Sequence, residues 1–514
     1  MRAAAPWAMV MRRPDAPSLW LATSPETAYP PLSEDRTADV CIVGGGLTGL
    51  TAAYLLGQAG LDVVVLDRWQ VASGTTGHTT AKVTVLQGLV YQGIEERLGR
   101  DAARDYAAAN LAAQERLAAI AAHEAIDCDL QRLPAFTWTD DPGLVGAVRR
   151  EAEAARDAGL AATYVDATPL PWSVLGAVRL DDQIGFHPRR YCLGLAEAVV
   201  RSGGSIHERT VAREVKEDDG GVRIVTETGV VQARWVIIAT LLPFHDPMLL
   251  AARTQPSRSY ALAARIEGRL PQGLFLSAET PHRSVRPHVA ADGAGWLIVE
   301  GEEHVPGAET DVARHHAELD AWAREHFPVV SIDYRWSAQD YMTPDSLPFI
   351  GPATPGSDRV LVATGFNKWG MTNGTLAAML LAGLIGGEAH PWLERFSATR
   401  TGVSGGAGQL IRQTLQVAGH FIGARLPGGP EIAAIQPGQG AVVDAHLGKV
   451  AVYRRPDGSL QALSARCTHM GCIVAFNDAE RSWDCPCHGS RFDTSGRVIE
   501  GPAGAPLDVV EIGS

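Results

Sequence analysis

Short apolar runs separated by turns open the ordered part of the chain. Residues 38–43 (Ala-Asp-Val-Cys-Ile-Val) read as a buried strand, 44–49 as a glycine-rich turn, 50–59 as a helix closed by Gly60, and 61–66 as a second buried strand ending at Asp67. An alanine-rich stretch at 101–125 predicts a long helix, and strand-like runs recur at 222–226, 235–240, 296–300 and 360–364. Residues 1–35 are proline-rich and aperiodic, which predicts an arm lying on the surface. Glycines surround an amphipathic stretch at 410–426, so 396–427 reads as a linker with one helix. From 428 to 514, Val, Gly, Pro and Asp alternate in short strand patterns, the signature of a separate all-β domain. No internal repeat is visible.

Charge narrows the function classes. Against 45 Lys and Arg stand 58 Asp and Glu, a net charge of −13, which argues against nucleic acid and anionic lipid as partners. The most apolar run, 376–385, is far shorter than the roughly 18–20 residues of a membrane span. Arg12 and Arg13 are followed by Pro14 and Asp15 with no apolar stretch behind them, so no signal peptide and a cytoplasmic location are expected.

Three of the seven cysteines (Cys41, Cys128, Cys192) are scattered, whereas four crowd between 467 and 487, favouring a metal site over a disulfide-stapled secreted fold. The crowded part reads Cys467-Thr-His469-Met-Gly-Cys472, then Cys485-Pro-Cys487-His488-Gly489-Ser490. Thiolates are soft donors suited to iron–sulfur iron, and imidazole also suits iron. Zinc would draw on the same residue types, though it has no need of six of them in two paired loops.

This region resembles the Rieske [2Fe–2S] family over about the last 85 residues. The resemblance implies that Cys467, His469, Cys485 and His488 are the iron ligands. It implies a disulfide between Cys472 and Cys487, a covering loop at Gly501-Pro502-Ala503, and a hydrogen bond from Ser490 to a cluster sulfur. Phe492 stands where high-potential members carry Tyr, so a potential below theirs is expected. Rieske oxygenases need a further mononuclear iron; His315, His316, His326, Glu318 and Asp320 are the candidates, though such residues more often form a solvated helix face.

The turn at 44–49 fits the G-x-G-x-x-G dinucleotide fingerprint because it follows a strand, opens a helix and precedes an acid, Asp67, twenty-three positions beyond Gly44. Gly44 permits the tight turn, Gly46 the approach of a pyrophosphate, and Gly49 close packing of helix on strand. Leu47 and Thr48 begin the helix whose N-terminus faces the phosphates. Asp67, followed by Arg68, would accept from ribose hydroxyls. Together with Ile237-Ile-Ala-Thr240, the segment 343–351 and the segment 365–372, the fingerprint resembles the D-amino-acid-oxidase-like flavoproteins over about 36–395.

That resemblance implies an α/β fold: a Rossmann-like FAD-binding domain (about 36–140, 186–255 and 335–395) with an interleaved α+β substrate domain (about 141–185 and 256–334), ahead of the all-β Rieske domain. It places the loop 73–82 past the flavin ring, with Thr75, Thr79, Thr80 and Lys82 as contacts; His78 and Lys82 are either ring neighbours or merely exposed. It directs the helix after Gly365 at the flavin, with Lys368, Trp369, Gly370, Met371 and Thr372 near the ring. No Cys lies between 192 and 467, so the flavin is expected to be non-covalent. Where amino-acid-oxidising relatives carry a carboxylate-clamping Arg, this chain has Asp340, which would repel an α-carboxylate and attract an ammonium; Arg286 is the alternative clamp.

The expected current runs from a small amine or amino-acid-like substrate to FAD. From there it passes one electron at a time through the cluster to an external protein or quinone, leaving by an exposed edge at His469 and His488. Catalytic roles fall to Asp340, Lys368 and His78. The reverse current, from an external donor to a reducible substrate, and a non-enzymatic redox sensor are the alternatives. Oligomeric state is open.

Overall fold

The computed structural model describes residues 17–309, 311–388, 390–400, 428–445 and 448–511. The helix expected at 410–426 lies outside the described residues.

The first sheet is built on Arg36–Val43, which pairs in parallel with Val63–Leu66 on one side and Val230–Ile238 on the other. Val40 stands opposite both Val63 and Trp235. The order continues outward to Ser205–His207 at one edge and through Val360–Thr364 to Phe349–Pro352 at the other. Helices cover one face of these strands and the antiparallel pair Ala212–Asp218 and Gly221–Thr226 packs on the other, which is why they read as continuous apolar runs rather than alternating ones. Helix Leu47–Gln58 packs against Gly370–Gly386, so chain segments more than three hundred residues apart share one core. The alanine-rich stretch forms the helix Arg100–His123.

The second sheet runs Val329–Met342, Gln255–Ile266, Gly295–His304, Ser284–Val289, Leu274–Ser277, Gln131–Thr139, Gly176–Gly185, Lys82–Val83. Gln131–Thr139, Lys82–Val83 and most of Val329–Met342 had been placed with the FAD-binding part. They belong to the second sheet because pairing between distant strands, not local pattern, decides which sheet a strand joins.

Residues 17–35 depart from the expected surface arm. Ser18 caps the short helix Leu19–Ala22, and Leu19 and Trp20 are fully buried. The indole Nε1 of Trp20 donates to Thr79 O at 2.6 Å, and its ring packs edge-on to His187 and His288. A proline-rich, aperiodic segment can bury single large side chains without showing any period.

The C-terminal part holds a three-stranded sheet (Gly440–Ala445, Gly448–Arg454, Leu460–Ser464) and a four-stranded one (Ala475–Asn477, Ser482–Asp484, Arg491–Asp493, Val498–Glu500). It is fastened to the second sheet by buried charges. Arg258, fully buried on Gln255–Ile266, meets Glu480 at 2.6 Å and Glu500 at 3.3 Å. Arg491, also fully buried, meets Asp484 at 3.0 Å, Glu500 at 3.4 Å and Glu480. Desolvating so many charges is tolerable only because each has partners of opposite sign. Asp478 adds a cap across the boundary, accepting from Val312 N (2.9 Å) and Ala313 N (3.1 Å) at the start of helix Ala313–His326.

Candidate functional site: a cavity between flavin fingerprint and Cys/His loops

A cavity of about 540 Å³ takes its wall from both large sheets. At one end lie Gly44, Gly46, Leu47, Thr48, Asp67, Arg68 and Thr240. Gly44 has φ +115°, and a Cβ there would meet Ala239 O at 2.4 Å. Gly49 is off the wall; a Cβ on it would lie 1.9 Å from Gly44 O, so its part is the close packing of helix on strand. Asp67 accepts from Gly45 N and Trp69 N, each at 2.7 Å. Burial pushes its pKa up to about 6 against the pull of those two amides. Each carboxylate oxygen keeps a second lone pair for a ribose hydroxyl. Thr76, which sequence reasoning passed over, accepts from Leu47 N at 3.1 Å and so seats the loop 73–82 on the helix N-terminus.

At the other end, Thr75, Thr79, Thr80, His78 and Lys82 line the wall with Lys368, Trp369, Gly370 and Met371, where helix Gly370–Gly386 begins. His78 and Lys82 are buried, not exposed. His78 hydrogen-bonds Gly74 O through Nδ1 at 2.8 Å, and its own carbonyl accepts from Trp336 Nε1 at 2.8 Å. Lys82 donates to Ser284 Oγ and sits 5.5 Å from the centre of the Trp369 ring. Burial lowers its pKa to about 8. Gly365 and Thr372, expected as cofactor contacts, are off the wall. Gly365 (φ +72°) shapes the turn against Thr343, and the Thr372 hydroxyl donates to Thr84 O at 3.1 Å.

The expected roles of Asp340 and Arg286 change. Asp340 lines the cavity, but its oxygens accept from Tyr341 N (2.8 Å) and Lys368 N (2.6 Å), fastening a lysine whose φ is +68°. Burial raises its pKa to about 6. Arg286 is off the wall and donates to the carbonyls of Thr80, Ala81, Phe186 and Pro287. It holds a loop in place and is no carboxylate clamp. Lys368 reaches Ser259 Oγ at 2.6 Å and Glu303.

The Cys/His loops adjoin this cavity. Ile499, Glu500 and Gly501 are on its wall, and Tyr341, next to Asp340, donates its hydroxyl to His488 O at 3.0 Å. Gln339 Nε2 donates to Gly489 O at 2.8 Å. Neither residue was singled out in the sequence, because nothing local marks a strand residue as an interdomain contact. Cys472 and Cys487 form a disulfide. Cys467 and Cys485 are free, buried and hydrogen-bonded to each other, with Cys485 drawing the Cys467 thiol toward its ionised form. The His469 and His488 rings lie 5.0 Å apart. Burial lowers the pKa of both, that of His488 to about 4, leaving neutral imidazoles. Ser490 accepts from Ala503 N at 3.0 Å and also bonds Cys467. The expected exposed edge is half right: His469 is partly exposed beside the exposed Met470, whereas His488 is buried against the second sheet.

His315, His316 and His326 do not converge. Among Glu302, His315 and Glu318, which do approach one another, Arg283 pairs with Glu302 and Arg314 with Glu318. His326 instead stacks on Trp322 at 4.2 Å.

Residues 39–384 match the model of the FAD-dependent oxidoreductase family, well over half of the chain. The chain belongs to the FAD-dependent oxidoreductases. Residues 431–511 of this oxidoreductase match the Rieske [2Fe–2S] domain. The enzyme is 36% identical over 502 residues to the putative Rieske 2Fe–2S iron–sulfur protein YhfW of Bacillus subtilis (strain 168), covering 97% of this chain and 98% of that protein. Gamma-glutamylputrescine oxidoreductase of Escherichia coli (strain K12) is 27% identical over 385 residues, 71% of this chain and 87% of its own length. Among solved structures, glycine oxidase from Geobacillus kaustophilus matches in fold, with TM-score 0.59 at 18% identity, over 71% of this chain and 99% of that one.

The families imply FAD and a [2Fe–2S] cluster, and the residues fit both. The cavity, its bare glycine turn and two helix N-termini suit a dinucleotide. His488 Nδ1 is buried without a hydrogen-bond partner beside two free thiols, as an iron ligand would be. Among the described residues, no helix is long and apolar enough to cross a membrane.

Proposed function

We propose that this oxidoreductase removes a hydride equivalent from an amine or amino-acid-like substrate and passes the electrons singly to the Rieske centre of its own chain and then to an external acceptor. When bound, FAD supplies the two-electron acceptor and the cluster the one-electron carrier. The observation that carries the reading is the shared wall: the loop 73–82, the start of helix Gly370–Gly386 and Ile499–Gly501 all face one cavity. Gly44, Gly46, Thr48, Asp67 and Arg68 would hold the nucleotide, and Lys82 and the Lys368–Met371 backbone would surround the ring. Cys467, His469, Cys485 and His488 would hold the cluster. Asp340 and Tyr341 tie the cavity wall to the His488 loop in two successive hydrogen bonds. The partly exposed side, at His469 and Met470, would meet the acceptor.

The reading is tested by anaerobic titration of the purified protein with amines, N-methylated amino acids and amino acids, following flavin bleaching and the low-temperature EPR signal of the reduced cluster. Bleaching followed by that signal, at a rate independent of protein concentration, is the expected result. Reduction of both centres by dithionite but by no substrate would favour the reverse current.

A further inference from the structure

Six carboxylates line the cavity: Asp67, Glu279, Glu300, Glu303, Asp340 and Glu500. Four are committed. Asp67 and Asp340 each take two backbone amides, Glu500 sits between Arg258 and Arg491, and Glu303 takes His282 Nδ1 at 2.9 Å and Lys368. Glu279 accepts from Thr139 and Asp140 through one oxygen, while its other oxygen is buried without a partner. Glu300 has His282 as its one charged neighbour within 4 Å, at 3.5 Å.

Glu300 is also well placed. It stands on Gly295–His304 directly opposite Ser284, the residue that Lys82 grips, and so faces the same stretch of wall as Lys82 and Trp369. Although burial alone would push its pKa up, the His282 ring and the two lysines hold it down at about 2, so the carboxylate is charged at neutral pH. The cationic side chains on this stretch already have partners: Lys82 holds Ser284, Lys368 holds Ser259 and Glu303, and His282 holds Glu303 and faces Glu300, while Arg68, the one arginine on the wall among the described residues, is beside Asp67 at the nucleotide end. A buried anion with spare acceptor capacity calls for a cation with several donors.

We infer that Glu300 binds the ammonium of the substrate, and that the substrate carries no carboxylate on the carbon next to that nitrogen. This deepens the reading above and rests on the same cavity being the substrate site. The inference moves the ammonium-binding role from Asp340, each of whose oxygens already accepts a backbone amide, to a residue 40 positions earlier in the chain.

The test uses three probes that cannot be oxidised at a C–N bond: tert-butylammonium and 2-aminoisobutyrate, which lack a C–H on the nitrogen-bearing carbon, and pivalate, the nitrogen-free anionic isostere of the first. Each is titrated into the flavin-loaded full chain, read by perturbation of the flavin absorbance and by calorimetry. Tert-butylammonium is expected to bind, and more tightly than the other two. Glu300→Gln weakens it at least tenfold, Glu279→Gln leaves it within threefold, and Lys82→Met, which removes a nearby positive charge, tightens it. Lys82→Met decides the matter if Glu300→Gln does not load flavin. Tighter binding of pivalate or 2-aminoisobutyrate, no binding of any probe, an unaffected Glu300→Gln, or weaker binding to Lys82→Met would overturn the inference. Glu300-dependent binding in a protein that no amine reduces would leave this recognition standing while removing the oxidation chemistry.

Discussion

The enzyme buries charge in two places and treats it in opposite ways. At the boundary between the second sheet and the Cys/His domain, Arg258 and Arg491 are enclosed by Glu480, Glu500 and Asp484, each ion matched by others of opposite sign. On the cavity wall a few residues away, Glu300 has His282 at 3.5 Å, with Lys82 and Lys368 acting on it from farther off. Matched buried charge holds parts together, whereas on the reading proposed above the charge on the cavity wall is what the substrate meets. The difference also bears on how the enzyme works. A domain fixed by such a network, with Tyr341 bonded to the His488 carbonyl, fits the proposed transfer within the chain better than a swinging motion.

The sharpest way to break the comparison is Arg258→Met. It leaves Glu480 and Glu500 facing one arginine fewer in a buried site, and loss of one partner of a buried pair costs about 3–5 kcal/mol. A chemical denaturation curve should show that loss, with unfolding of the C-terminal domain separated from that of the flavin part. An unchanged midpoint would mean the network is decoration.

Two cavity carboxylates offer a smaller effect with opposite signs in pH. Glu300, held at about 2 instead of 4.5, contributes stability that is present above pH 4.5 and fades as pH falls toward 2. Asp340, raised to about 6 from 3.8, is penalised on ionising, so its contribution is most favourable below 3.8 and is lost as pH rises through 6. Melting temperatures of the wild type minus Glu300→Gln should therefore fall between pH 4.5 and pH 3, and of the wild type minus Asp340→Asn should fall between pH 4 and pH 7. Parallel trends would erase the distinction.

The smallest expected change is at the cluster. Phe492 is fully buried beside the Cys loops, and Phe492→Tyr places a hydroxyl in that enclosed space. If it reaches a cluster sulfur it raises the midpoint potential, because hydrogen bonds to the sulfurs do so. A redox titration followed by EPR checks this, and a lowered potential would contradict it.

Much of the molecule was readable before any coordinates. The Cys/His loops are local, with all six metal and disulfide candidates between 467 and 488, so their grouping needs no tertiary information. The glycine turn was equally legible, since 44–49 lies between a strand and a helix that touch at Gly49. Legibility fails where a residue's role depends on what another segment brings. Asp340 stood out by motif position, yet Lys368 and Tyr341 supply an amide to each of its oxygens. Glu300 looked like the end of an ordinary strand, and nothing in the sequence marked Arg258 or Arg491.

By itself, then, the sequence determined the two kinds of redox centre, the α/β and all-β classes of the parts that carry them, and the residues of each short motif, because those depend on spacing along the backbone. The tertiary structure decided which partners each wall carboxylate has. It also decided that His488 is buried and His469 partly exposed, and that the glycine fingerprint and the Cys/His domain adjoin one cavity. Those are matters of solvent exclusion and of partners drawn from strands up to hundreds of residues apart, which spacing along a chain does not encode.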